Sequence, residues 1–401
     1  MNKTLTAVSL VLLLVSAVLA QVPDTLWTKT YGGSNDDSGR SIQVTKDGGY
    51  IIVGHTGSVN KDFDVYCIKT NSSGDTLWTR IYGGPDWDTG SSIKQCADRG
   101  YIITGYTKSS GAGSNDVLLI KIDSLGKVEW TKTYGGPNED GASSVQQTVD
   151  GGYIITGETM SFGAQDYDVF IIKTDSVGKL LWSKTIGGSD CDGSQAIIQT
   201  YDGGYAIIGD TKSYGRGWHD VYLIKTDIQG ETLWTRTYGG ADFDYGESIQ
   251  QTKDRGFIIA GWTRSFGSGM SDVYLIKTDR YGDTLWTRTY GGTDHDFGFS
   301  VIENHDGGYL IVGDTKSFGS GWYDVYVIKT DANGDTLWTK TVGGIKPDEG
   351  FSIDRTFDGG CVIVGNSRSF GSWNDDVYLI RLEPFEPSDQ ILRILIRDST
   401  K

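Results

Sequence analysis

Basic charge, histidine, cysteine and helical periodicity are all scarce in this chain. Its 401 residues carry 36 Lys and Arg against 52 Asp and Glu, a formal net charge of -16. Such a balance leaves no basic patch for a phosphate backbone or an anionic membrane surface, so no nucleic-acid partner is expected. The four cysteines, Cys67, Cys96, Cys191 and Cys361, show no metal-ligand spacing, and the four histidines, His55, His219, His295 and His305, come with no G-x-S-x-G or H-E-x-x-H motif. No cofactor or zinc centre is expected from them. One long apolar run stands out, in residues 1–20 (MNKTLTAVSLVLLLVSAVLA). Lys3 precedes the run, Val18 and Ala20 end it, and it is short for a bilayer span with no positive stop behind it. It predicts a signal peptide cleaved after Ala20, hence export to the periplasm, the cell surface or the medium, with no membrane span left.

What the chain has in abundance is self-similarity. The stretch DTLWTKTYGG at Asp24 to Gly33 returns six more times, placing Trp27, Trp78, Trp130, Trp182, Trp234, Trp286 and Trp338 at one gap of 51 residues and five of 52. A period of that size means a solenoid, an array or a propeller. Each unit holds four strand-like runs between turns; in 283–331 they are DTLWTRTYGG, FSVIEN, YLIVGDT and DVYVIKT. Runs such as YIIVG at Tyr50 and VYLIK at Val221 are apolar on both faces, so their sheets must be covered on both sides. Four-stranded blades stacked face to face meet that condition, and the DGG turns read as hairpins between antiparallel strands. The expected fold is an all-β, seven-bladed propeller over 21–382.

The motif series Y-G-G, D-x-G, Y-I-I-x-G-x-T, D-V-Y-x-I-K-x-D-x-x-G and L-W resembles the β-propeller repeats of secreted bacterial and archaeal proteins, over all seven units. It is similar more loosely to quinoprotein-type propellers, whose repeats join D-x-x-G to tryptophan as TDSVGKLLW does at Thr174 to Trp182. Both resemblances imply a propeller and neither carries a reaction. The quinone-dependent enzymes usually have eight blades and a catalytic acid with metal ligands, for which this chain has no matching positions. By analogy, Ser41 to Thr45 belongs to the innermost strand and the tryptophan run to the outermost. The inner strands then start with Ser41, Ser92, Ser144, Ala196, Ser248, Ser300 and Ser352, small residues where strands converge. Asp24 to Gly33 precedes any inner strand of its own and is expected to complete the last blade, whose other strands lie within Gly350 to Leu382. The tail 383–401 breaks the pattern; its apolar run at Ile391 to Ile396 is either an added strand or the stump of an anchor.

Residues copied in every unit serve copied surroundings. Lys69, Lys121, Lys173, Lys225, Lys277, Lys329 and Arg381 are expected to bond nearby carboxylates or carbonyls. Asp37, Asp88, Asp140, Asp192, Asp244, Asp296 and Asp348, several within D-x-D-x-G, are oxygen-rich enough for calcium, although such residues commonly bond turn amides instead. A glycosidase would need two facing carboxylates, and Glu158, Asp210 and Asp314 share the repeat position that could supply them.

Binding is expected where the copies differ. Beyond the seven repeat tryptophans stand Trp87, Trp218, Trp262, Trp322 and Trp373, all in the phase of the longer loops, where function in such folds concentrates. The residue after the third-strand glycine also varies, as His55, Tyr106, Glu158, Asp210, Trp262, Asp314 and Asn366. Aromatic faces among carboxylates and amides suit sugars, so a glycan or cell-surface polymer is the expected ligand and a protein the second choice. The expectation is thus a non-catalytic binding or scaffold module, with a secreted glycoside hydrolase or quinoprotein-like oxidoreductase as the alternative. The bland alternative for the tryptophans is that they wedge between blades, as Phe162, Phe266, Phe318 and Phe370 of the recurring S-F-G are expected to do.

Overall fold

Within each repeat the runs of Val, Ile, Tyr and Thr form the strands and the Asp and Gly clusters form the turns, since β-branched and aromatic side chains fit a pleated, buried surface. The computed structural model describes residues 22–57, 62–163 and 166–385. The segment 1–20 and the run Ile391 to Ile396 lie outside them. Blade one shows the plan: Asp37–Val44, Tyr50–Thr56, Asp64–Thr70 and Thr76–Tyr82 pair antiparallel in that order. Six more four-stranded sheets repeat it, making a seven-bladed all-β propeller. Blades two to six occupy 88–134, 140–186, 192–238, 244–290 and 296–342. Blade seven takes three strands from 348–382, and its outer strand is Thr25–Tyr31, antiparallel to Asp376–Leu382. The N-terminal strand therefore closes the ring and covers an edge that would otherwise template pairing with another chain.

The first strand of every blade lies innermost, beside the first strands of both neighbours. Its free edge is satisfied by side chains. Ser41 Oγ accepts the Ile93 N–H at 3.3 Å, Ser144 that of Ile197 at 3.4 Å, Ser248 that of Val301 at 3.3 Å and Ser352 that of Ile42 at 3.3 Å. Four of the small residues are thus also acceptors. Ala196 has no hydroxyl to offer Ile249. Ala196→Ser is expected to raise stability by about 0.5–1.5 kcal/mol, the net worth of one hydrogen bond, as read from denaturant midpoints.

Packing lies between blades rather than within them. Ile51, Val53, Val65 and Cys67 of blade one interlock with Ile93, Tyr101, Ile103 and Leu118 of blade two, and six similar clusters follow round the ring. None of the four cysteines forms a disulfide, and Cys67, Cys96 and Cys361 belong to these clusters. At the rim each repeat tryptophan except Trp338 covers the next D-x-x-G turn, or in blade one its N-x-x-G counterpart. A Cβ on Gly74 would stand 2.8 Å from the Trp27 ring, and its φ of 75° also favours glycine. The Tyr31 hydroxyl donates to the Gly74 carbonyl at 2.6 Å, and Tyr82, Tyr134, Tyr238 and Tyr290 do likewise in their blades. Trp338 meets no such turn, because the chain ends its blade differently; buried Phe385 takes that place, its ring 5.4 Å from Trp338.

The copied cations are buried and paired. Lys69 reaches Asp47 at 3.1 Å and the Thr70 carbonyl at 2.8 Å, Lys329 reaches Asp306 at 2.6 Å, and Arg381 grips both oxygens of Asp358 at 2.6 Å. The copied loop acids act as turn caps. Asp140 Oδ2 accepts from Ser161 Oγ at 2.6 Å and the Gly136 N–H at 2.7 Å, and Asp88 treats Ser109 and Gly84 alike.

Candidate functional site in the axial channel

Each inner strand carries a bulge one residue before its small residue, from Gly39/Ser41 in blade one to Gly350/Ser352 in blade seven. An extra residue in one strand re-aims its side chain out of the ladder. The extra residues are Arg40, Ser91, Ser143, Gln195, Glu247, Phe299 and Phe351, and all seven line one axial cavity of about 500 Å³. The second strand must pass close to permit this: a Cβ on Gly54 would lie 1.8 Å from the Ser38 carbonyl oxygen. Seven copies of one backbone device thus present seven different chemistries to one space.

The cavity is lopsided. Blades two to four contribute Ser91, Ser143 and Gln195, whereas blades five to seven contribute Glu247, Phe299 and Phe351. The Phe299 and Phe351 rings stand 5.5 Å apart, and the Arg40 guanidinium lies 4.5 Å over Phe351. From Phe299 a ribbon of rings runs outward. Phe297 follows at 6.1 Å, Trp262 at 5.3 Å, Tyr245 at 4.4 Å, Phe243 at 6.3 Å and finally Trp218 at 5.8 Å, 61% exposed on the long-loop face.

The positions singled out in the sequence do not share one role. His55 and Tyr106 line the cavity. Burial, with Arg40 nearby, pulls the His55 imidazole down to about 4, so it is neutral at physiological pH. Trp218 and Trp262 belong to the ribbon, while Trp87 joins a shorter one through Phe63 at 5.1 Å to His55 at 4.8 Å. Trp322 and Trp373 stand apart from it, exposed, each under a lysine: Lys316 at 5.5 Å and Lys346 at 4.7 Å. Asp314 and Asn366 are buried and accept backbone N–H groups of the next blade, Gly350 at 2.7 Å and Gly39 at 3.1 Å. They secure the channel wall. The S-F-G phenylalanines rest on aromatic residues of their own third strands, as Phe162 does on Phe170 at 5.5 Å.

Carboxylates collect where the ribbon meets the channel. Oxygens of Asp210 and Glu158 lie 3.5 and 3.7 Å from the Cβ position of Gly193, so they stand no farther apart than the sum of those distances. Asp210 also bonds His219 Nδ1 at 2.7 Å. Burial, then Asp210 and Glu139, push the Glu158 carboxyl up. Glu247 is raised further, to about 7, by the shielding channel wall and then by Asp210, against a hydrogen bond from Trp262. Its folded state therefore holds a proton more tightly than the unfolded chain does. Stability from this group is full below about 4.5 and falls as pH rises through about 7. Glu247→Gln is expected to melt higher than the parent at pH 8 and to show no such gain at pH 4.

The sequence reading missed the bulge series, although its signal was present: R, S, S, Q, E, F and F stand directly before a nearly constant small residue.

No family model matches the chain. It is 32% identical over 182 residues to the regulatory protein FlaEY of Caulobacter vibrioides, a match covering 41% of this chain and 19% of that protein. The chain thus spans about a fifth of the curated relative it matches. Among solved structures it is similar to Sqt1 from Chaetomium thermophilum, at 11% identity over 86% of this chain and 82% of that one, with a TM-score of 0.49. It is also similar to BBS1N, solved in complex with ARL6DN, at 9% identity over 91% of this chain and 99% of that one, with a TM-score of 0.51. At such identity the last likeness speaks for the fold alone.

Proposed function

We propose that the protein is an exported, non-catalytic binding module that takes a glycan or cell-surface polymer across its long-loop face and into the axial channel. The observation that carries this reading is the unbroken ribbon from Trp218 to Phe351, flanked by Asp210, Glu247 and Gln195. Apolar sugar faces stack on such rings while hydroxyls find carboxylates and amides at their edges. Export follows from the segment 1–20. The description of the Caulobacter relative as a regulatory protein is in keeping with a role without turnover.

Replacing Trp218, Trp262 and Trp322 by Ala is expected to weaken polysaccharide retention at least tenfold, about 1.4 kcal/mol, while the melting transition stays cooperative. Unchanged retention by a folded triple variant would sink the proposal.

A hydrolase is the second reading, because oxygens of Asp210 and Glu158 both lie beside Gly193, closer together than the upper limit of roughly 10 Å for paired catalytic carboxylates. Release of reducing ends that disappears in Glu158→Gln would favour it.

A further inference from the structure

On the opposite, short-turn face, a groove of about 300 Å³ opens between blades four and five. Tyr201, Leu233 and Tyr281 line it and are 70%, 57% and 51% exposed, a great deal of apolar surface to leave in water at one spot. Arg255 and Arg280 line it too. Neither has a carboxylate partner among the described residues, whereas the groove's Asp202 is already paired with Lys225 at 3.1 Å. The acids beside Arg280 are engaged as well: Asp279 caps the Tyr281 and Asp283 N–H groups at 2.8 and 2.9 Å, and Asp283 pairs with Arg236 at 3.2 Å.

The sequence of this spot departs from its copies. Arg255 holds a φ of 70° at the turn position where blades one, three, four, six and seven have Gly48, Gly151, Gly203, Gly307 and Gly359, also at positive φ. A side chain there costs on the order of 1 kcal/mol, so Arg255 stands against its own backbone preference. Only blade two, with Arg99, does the same. Arg280 and Tyr281 replace pairs such as Ser72-Ser73, Ser176-Val177 and Ala332-Asn333, and the Arg280 guanidinium lies 4.6 Å over the Tyr281 ring.

We infer that this groove binds an acidic peptide segment of a partner protein, its carboxylates on Arg255 and Arg280 and an aromatic or aliphatic side chain against Tyr201, Leu233 and Tyr281. Two guanidiniums without a carboxylate partner, that of Arg280 bonded to the neutral Tyr281 hydroxyl, on a chain of net charge -16 select a short anionic segment rather than a long polyanion, whose remaining charge would be repelled by the surrounding surface. The site lies on the face away from the proposed glycan surface, so either can fail without the other.

The test pans a phage-displayed random dodecapeptide library on the protein, with the Arg255→Gly, Arg280→Ser double variant as counter-selection. Both new residues already occur at these positions in other copies, and Arg255→Gly relieves the left-handed backbone, so the variant is expected to melt no lower than the parent. Sequences joining Asp or Glu to Phe, Tyr or Leu should be enriched. The synthetic peptides should bind the parent at least tenfold more tightly than the variant, with the gap closing as salt is raised. No enrichment over the variant, or enriched peptides without acids, would overturn the inference. So would salt-sensitive self-association of the parent that the variant lacks, or binding to phosphatidylserine vesicles that depends on the same arginines, since either would name a different occupant.

Discussion

Removing residues 21–33 is expected to destabilise the propeller by on the order of 5 kcal/mol, a loss comparable with the whole net stability of many domains. Thr25–Tyr31 is the outer strand of blade seven, and without it Val377 to Arg381 lose their antiparallel partners. Trp27 and Tyr31 also leave the cluster formed by Ile42, Tyr50, Val364 and Leu379, where blade seven meets blade one. The Tyr31 bond to Gly74, which ties the rim of blade seven to blade one, goes with them. A thermal melt shifted sharply down, with a less cooperative transition, is the expected result; the parent's melting temperature in the truncated protein would refute closure.

Lys329→Ala is expected to cost about 2 kcal/mol, because it leaves the buried Thr330 carbonyl without its donor, while Asp306, 22% exposed, can turn to water. Lys329 is completely buried and holds both Asp306 and the Thr330 carbonyl at the junction of two turns. Lys329→Arg is the informative control. Blade seven already uses Arg381 with Asp358 in the same place, so the arginine variant should lose less than about 1 kcal/mol in denaturant unfolding. Equal losses for both variants would mean that packing volume, rather than the charge pair, matters here.

The same ring makes the protein sensitive to acid. Burial raises the Asp150 carboxyl, but Thr148, Lys173 and Gly152 outweigh it and hold the group down to about 2. A carboxyl lowered on folding contributes its stability above its ordinary value near 3.8 and loses it as pH falls toward about 2. Asp47, Asp98, Asp202, Asp254 and Asp358 are lowered in the same direction, so each contributes stability that is lost as pH falls below the ordinary carboxylate range.

The architecture was legible because the chain repeats itself. Tryptophan spacing set the number of blades, the doubly apolar second and third strands demanded packing on both faces, and the orphaned first strand required closure. Ser41 and its copies marked the inner strands, although their hydroxyl role depends on an unpaired edge that only the ring creates. The site was half legible. Variation at His55 and its equivalents pointed to the right rim, but the structure spends Asp314 and Asn366 on backbone amides and sends only some of the set toward the cavity. Arg40, Glu247, Phe299 and Phe351 escaped notice because a bulge is invisible to alternation: it shifts the register by one residue and so exchanges which side chain meets the axis. Phe385 escaped for another reason, since it acts where a turn is missing rather than where a motif recurs.

Binding without turnover can be measured directly by affinity electrophoresis through gels that embed a panel of polysaccharides, alongside assays for released reducing ends and for oxidation, each with and without quinone and calcium. Retardation by at least one polysaccharide, with no product from any, is the predicted result. Product formation that is abolished by Glu158→Gln or Asp210→Asn would contradict it and make the channel an active site.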